Sequence, residues 1–319
     1  MADINNLFST FNDAISLSKI KSDNLKRGRD SLRSEIKKWF SDNSKKQPTF
    51  CWQGSFAMKT TVNPINDGEY DLDDGIYLSG YSDQEISDWP ATSTVHSWIK
   101  SAVEGHTQQD PIDKDTCVRV VYTSGYHIDY PIYIMKDDIA YLAHKTKGWT
   151  ISDPKAFKNW FIQNVNEDGE QLRSIVKYLK AWKDYKDISL KGIEITILAT
   201  KNFSVYEGRD EKSLRDTVKS ILSSLESNFA CVKPVEPGED LFDSISETKK
   251  GNITNGLKNL KAKLDLAIDE DDPAVASDYM IKVFGERFPK GKSIEKSEAS
   301  ASYVQTSAPG VLHHDGRSA

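Results

Sequence analysis

The sequence predicts an α+β fold of two lobes: a mixed sheet flanked by helices, followed by a lobe made of helices alone. Three observations predict it. Short runs rich in β-branched and aromatic residues, bounded by turn signals, fall between residues 49 and 132. From Asp153-Pro154 onward the apolar residues instead recur at three- and four-residue steps. The same helical period fills residues 4 to 42, ahead of the strands, and 319 residues are enough to build two lobes around a sizeable core.

Taken in order, Phe8, Phe11, Ile15, Leu25, Leu32, Ile36 and Trp39 predict one long amphipathic helix, with its break expected at Gly28. Such a helix would act as a spine joining both lobes. Its basic residues, Lys19, Lys21, Lys26, Arg27, Arg29, Arg33, Lys37 and Lys38, are expected to form a solvated face; contact with nucleic acid is the competing reading. After Pro48 comes a Gly54-Ser55 turn with a short helix behind it, and then a strand carrying Asp71 and Asp73. Val95, Trp98, Ile99, Ala102 and Val103 predict a helix stopped by Gly105. Residues 117–122 and the strand of Asp129 read as a hairpin about Thr123-Ser124-Gly125, with Pro131 placing the second strand at an edge or at a bend. The helical lobe follows in five amphipathic segments, whose apolar faces begin at Phe157, Leu172, Leu214, Ile253 and Val275.

Chemistry concentrates between Cys51 and Leu78. In an extended strand alternate side chains share a face, so Asp71 and Asp73 point one way while Leu72 points into the core. Carboxylates this close repel one another and call for a cation. Magnesium suits them, because it takes a few carboxylate oxygens and leaves its other positions to water and phosphates. Asp129 is the third acid, and three acids can hold the two ions that nucleotidyl transfer uses. Gly54 would let a backbone N–H approach a phosphate closely, and the Ser55 hydroxyl would donate to the same group.

The blander readings differ in strength. An EF-hand is excluded, since its fifth and twelfth positions would fall on Gly75 and Ser82. Asp74 has the opposite strand parity and is expected to be structural. For Asp129 the competing reading is a satisfied acid at a sheet edge. The stretch from Gly285 to Ser293 imitates a phosphate-binding loop, but the glycine spacing is wrong and Pro289 interrupts it.

Composition sets outer bounds. A charged content of 28%, a hydrophobic content of 38% and no long apolar run fit a soluble protein with no membrane span. The first residues lack a basic stretch followed by an apolar one, and Cys51, Cys117 and Cys231 are far apart, so a reducing cytoplasm is expected. A formal net charge of −6 weighs against coating duplex DNA, an affinity that rests on Lys and Arg.

Gln53-Gly54-Ser55-Phe56, Asp71-Leu72-Asp73-Asp74-Gly75 and His127-Ile128-Asp129, in that order, resemble the cGAS/DncV-like nucleotidyltransferases of bacterial antiphage signalling (CBASS) systems. The resemblance spans roughly residues 1 to 290. It implies a polymerase-beta-like core that joins nucleoside triphosphates such as ATP and GTP into a cyclic di- or trinucleotide second messenger read by a downstream effector. It further implies two Mg2+ ions, with Mn2+ as substitute, on Asp71, Asp73 and Asp129, and donor phosphates held by Gln53, Gly54 and Ser55. Lys177-Tyr-Leu-Lys180-Ala-Trp182 is similar to the family's Lys-x-Trp helix, which assigns a triphosphate contact to Lys180, with Lys177 and Lys183 as alternatives. Thr196 takes the place of a hydroxyl residue at the phosphates, against which stands simple helix packing. The competing functions are a linear transferase, making oligoadenylate or nucleotidylating RNA or protein, and an inert nucleotide-binding module.

The expected division is a spine helix over 1–46, a catalytic core over 47–150, a helical lobe over 151–290 and a disordered tail over 291–319. Some members of the family have their C-terminus conjugated by an E1/E2-like accessory protein. The resemblance extends that expectation to Ala319; an inert tail is the alternative.

Overall fold

The computed structural model describes residues 3–65 and 68–293. Two helices open the chain, α1 (Asn5–Ile15) and α2 (Lys19–Asp42). The break between them falls at Ser16–Ser18 and not at Gly28. Ser18 caps the new helix by accepting from the Lys21 N–H, while Gly28 stays helical, and its lack of a Cβ leaves room for the Tyr122 hydroxyl, 2.9 Å from where that atom would stand. Gly28 is thus a site of close packing on the sheet. Of the basic residues on α2, Arg29 and Arg33 also depart from the expected solvated face. Arg29 is buried over the Trp52 ring at 4.5 Å, and Arg33 reaches the sheet.

The sheet contains β1 (Thr49–Gln53), β2 (Tyr70–Leu78), β3 (Ile112–Asp113), β4 (Val118–Tyr122), β5 (Tyr126–Tyr130), β6 (Ile132–Lys136), β7 (Ile139–His144) and β8 (Gly148–Ile151). Short helix α3 (Gly54–Ala57) follows β1, and α4 (Thr92–Val103) packs on the same face as α2. Strand β2 has β1 antiparallel on one side and β5 and β6 parallel on the other. The register against β2 carries unchanged across Pro131, whose carbonyl accepts from the Ile76 N–H, so β5 and β6 are one strand kinked at the proline. Because β4 and β7 pair with its outer side, this strand is interior. Pro131 therefore marks a bend, and the sheet-edge expectation for the Asp129 strand does not hold.

Among the described residues the second lobe contains α5 (Pro154–Asp168), α6 (Gln171–Lys186), α7 (Gly192–Lys201), α8 (Asp210–Ser227), α9 (Glu247–Asp269) and α10 (Pro273–Phe284). Asp153, Ser246 and Asp272 cap α5, α9 and α10 through their side chains, and Pro154 and Pro273 begin two of them. The apolar core divides accordingly. Phe8, Phe11 and Ile15 of α1 join the helical lobe, whereas Leu25, Leu32 and Ile36 of α2 lie under the sheet. The three cysteines are free thiols. Among the described residues no helix is long and apolar enough to cross a membrane. The tail beyond 293, with Ala319, lies outside the described residues.

Candidate active site

A cavity of about 540 Å³ opens between the sheet and the helical lobe. Its sheet wall carries Asp71 and Asp73, both half-buried, on either side of the fully buried Leu72. The alternation of β2 does this directly. Asp74, on the opposite face, is fully buried and receives two bonds from the Arg33 guanidinium, at 2.7 and 2.5 Å. It ties the spine to the sheet. Asp129 is the direct register partner of Asp73 on the neighbouring strand, and His127 that of Asp71. Asp129 is buried and satisfied: Arg119, opposite it on β4, donates from Nε to Oδ1 and from Nη2 to Oδ2, both at 2.7 Å.

The turn leading into α3 meets the acids closely. Gly54 has φ +65°, and a Cβ on it would lie 2.1 Å from Asp73 Oδ2, so only glycine allows this turn and this carboxylate together. Ser55 Oγ lies 2.8 Å from Thr61 Oγ1. Only one of the two hydroxyls donates in that pair, which leaves the other hydrogen to donate elsewhere. Gln53 is buried and donates to the Tyr133 hydroxyl at 3.0 Å, while its Oε1 has no partner among the described residues.

Across the cavity, α6 presents Lys180, Lys183 and Asp184, and α7 presents Ile193 and Thr196. Lys180 is 7% exposed and donates to the Thr60 carbonyl at 3.1 Å and to Thr60 Oγ1 at 3.0 Å. Of the three lysines considered for the phosphates, Lys183 also lines the cavity, paired with Asp184 at 2.8 Å, while Lys177 donates to Ser16 Oγ and does not line it. Thr196 lines the cavity too, and its hydroxyl donates back to the Gly192 carbonyl at 2.8 Å.

Burial sets the electrostatics. Loss of solvation pushes the Asp73 carboxyl well above the usual carboxylate range, and the charges of Asp71 and Asp129 push it further. Desolvation also brings the Lys180 ammonium down to about 8, against the pull of Asp71 and Asp184. Among the described residues no three His, Cys, Asp or Glu side chains already converge on one point as a metal cage. The donor set still fits a hard divalent cation: all carboxylate oxygens, on adjoining strands, with one acid, Asp73, whose ionisation is held back by burial and by the two carboxylates beside it.

Sequence reasoning missed several residues that line the cavity. Asp153 and Phe157 come from the start of α5, and Lys233, Val235 and Glu236 from the loop between α8 and α9. That loop has no periodicity, so nothing local marks it as part of the site. The ion pair of Arg119 was missed as well, although the alternation of residues about the 123–125 turn would have placed the arginine opposite Asp129.

Residues 48–133 match the model of the family described as cyclic GMP-AMP synthase DncV-like, nucleotidyltransferase domain. The chain is 25% identical over 317 residues to a cyclic GMP-AMP synthase of Escherichia coli, covering 82% of this chain and 73% of that protein. It is 26% identical over 318 residues to that of Vibrio cholerae serotype O1, covering 81% and 72%. In fold it is similar to a Vibrio cholerae di-nucleotide cyclase (DncV) in complex with ATP, GTP and 5MTHFGLU2, with a TM-score of 0.77 at 18% identity, covering 90% of this chain and 97% of that one. A 3′-deoxy GTP bound form of Escherichia coli DncV gives a TM-score of 0.75 at 20% identity, over 90% and 97%.

Proposed function

We propose that the chain, whose residues 48–133 match the DncV-like nucleotidyltransferase domain, is a bacterial cGAS/DncV-like nucleotidyltransferase that condenses nucleoside triphosphates into a cyclic dinucleotide second messenger. The observation that carries this reading is the opposition across one cavity of Asp71 and Asp73 on β2 to Lys180 on α6, with the Gly54-Ser55 turn between them. Negative groups to hold a cation face positive and hydroxyl groups to hold a triphosphate. Pyrophosphate leaves at each of two transfers, in which a ribose hydroxyl attacks an α-phosphate.

The chain's own residues supply position and charge. Below about pH 8 the Lys180 ammonium carries its proton and faces the acids, where a donor triphosphate needs countercharge. The free hydroxyl hydrogen of the Ser55–Thr61 pair and the backbone at Gly54 are placed to grip phosphate oxygens, with Gln53 bracing the turn from β1 and Thr196 bordering the same space. Asp71, Asp73 and Asp129 are the residues that would hold Mg2+, as two ions, with Mn2+ as substitute. When bound, the metal supplies Lewis-acid polarisation of the reacting phosphate and a lowered pKa for the attacking hydroxyl.

ATP and GTP are the proposed substrates, antiphage signalling through a downstream effector the proposed setting, and the cytoplasm the proposed compartment. Conjugation of Ala319 by an E1/E2-like accessory protein would be a second layer of control. It fails if a chain lacking the tail still forms the thioester-dependent adduct. The test of the main reading is incubation with four labelled nucleoside triphosphates and Mg2+ or Mn2+, phosphatase treatment and mass spectrometry. A phosphatase-resistant cyclic species is expected. Linear products alone would assign a linear transferase, and no turnover with or without activators would leave an inert module.

A further inference from the structure

We propose that Arg119 is a positioning residue whose guanidinium holds both oxygens of Asp129 and must be displaced before that carboxylate can serve a divalent cation. The inference rests on the reading of Asp71, Asp73 and Asp129 as the metal-binding acids. Asp129 stands between two partners on its own sheet, Asp73 of β2 on one side and Arg119 of β4 on the other, each directly opposite in register. Both of its oxygens are engaged by the arginine, one to Nε and one to Nη2, at 2.7 Å each. A guanidinium fork of this kind fixes the plane of a carboxylate as well as neutralising it.

The surroundings make that grip consequential. The side chains are 21% and 11% exposed, so water screens the pair poorly. Asp71 and Asp73 crowd the same face, and no ready-made cage of three acids exists among the described residues. Arg119 therefore acts as a resident monovalent stand-in: its charge offsets the repulsion between Asp129 and Asp73. A divalent cation brings twice the charge but has to win the carboxylate from a fork that fits it. Occupancy of the third acid is thereby tied to the arrival of metal in quantity, or of metal already carried by a triphosphate.

The test uses Mn2+ alone as probe, on the full nucleotide-free chain, reading free Mn2+ by electron paramagnetic resonance. Arg119→Gln should bind Mn2+ more tightly than wild type, on the order of tenfold or more, the equivalent of releasing one charge-assisted pair. Its melting temperature without metal should fall, because Asp129 is left buried and unpaired. A purely structural arginine would lower both. Arg119→Lys keeps the charge but cannot hold both oxygens, so it too should gain affinity, and it decides the matter if the glutamine variant does not fold. Unchanged or weaker Mn2+ binding in these variants overturns the proposal. So does a gain in Arg119→Gln that is absent from Arg119→Lys, which would mean nearby charge without displacement. Asp71→Asn tests the underlying reading separately: if wild type binds no Mn2+, or binds it as well without Asp71, the metal-site reading falls and the latch with it.

Discussion

Replacing Lys180 by methionine separates the energetic role of its charge from its packing. The ammonium is 7% exposed and sits at about 8, whereas an ordinary lysine titrates near 10.4, a depression equivalent to roughly 3 kcal/mol against the charged form. Methionine removes that penalty but also the two bonds to Thr60, each worth about 1 kcal/mol or more, so at neutral pH the two proteins should differ little. The pH dependence is the sharper quantity. Below pH 8 folded and unfolded wild type both hold the proton, and the penalty is fully present. Between about 8 and 10.4 the unfolded chain binds the extra proton, so wild-type stability rises with pH by up to ~1.4 kcal/mol per unit, while Lys180→Met has no such gain. Urea unfolding of both proteins from about pH 7 to about pH 9.5 should move their difference by about 2 kcal/mol in favour of wild type. Parallel stability curves would refute a buried ammonium in this position. The same proton should matter to substrate: triphosphate affinity of wild type should fall above pH 8, by up to about tenfold per unit, and that of the variant should not.

Other outcomes follow from the same geometry. Gly54→Ala should abolish most turnover and lower stability by about 1–3 kcal/mol, since its Cβ would meet Asp73 Oδ2 in a left-handed backbone; product assays and melting curves check it. Asp73→Asn should reduce turnover by orders of magnitude yet leave the apo protein as stable or more so at neutral pH. Because the folded Asp73 holds its proton above the unfolded value, wild-type stability should decline as pH rises past the ordinary carboxylate range, a slope the asparagine variant should lose in thermal scans. Arg33→Ala strands a fully buried Asp74 and should cost about 3–5 kcal/mol in denaturant unfolding.

How much of this was legible in the sequence depended on the range of the interactions involved. The shared face of Asp71 and Asp73, and the opposite orientation of Asp74, follow from strand parity alone, which needs no knowledge of neighbours. Pro131 was ambiguous because a missing N–H says that a ladder bond is lost without saying which strands lie beside it. The helix break was misplaced for a similar reason: Gly28 weakens a helix locally, but its closeness to Tyr122 is a tertiary fact, whereas Ser18 supplied a cap that ended the ambiguity ten residues earlier. Arg29 and Arg33 read as solvated because long basic side chains usually are. Only the fold reveals that Trp52 and Asp74 wait beneath them. Lys233 and Glu236 reach the cavity from a loop whose path no period encodes.

The break between α1 and α2 has mechanical meaning. One helix is rooted in each core, and the chain also passes between the cores from Phe56 to Met58 and returns between Val62 and Tyr70. These crossings are stitched at Asn63, whose backbone N–H donates to the Ile15 carbonyl, whose amide donates to Ser16, and whose carbonyl takes the Arg287 guanidinium. Lobes joined by crossings that share one hydrogen-bonded residue are coupled more firmly than beads on a tether. Asn63→Ala removes the side-chain bond to Ser16 and should lower melting temperature while loosening the fit of Lys180 against the β2 acids. Substrate affinity and turnover should then be tunable from this joint, at a residue that never meets a nucleotide.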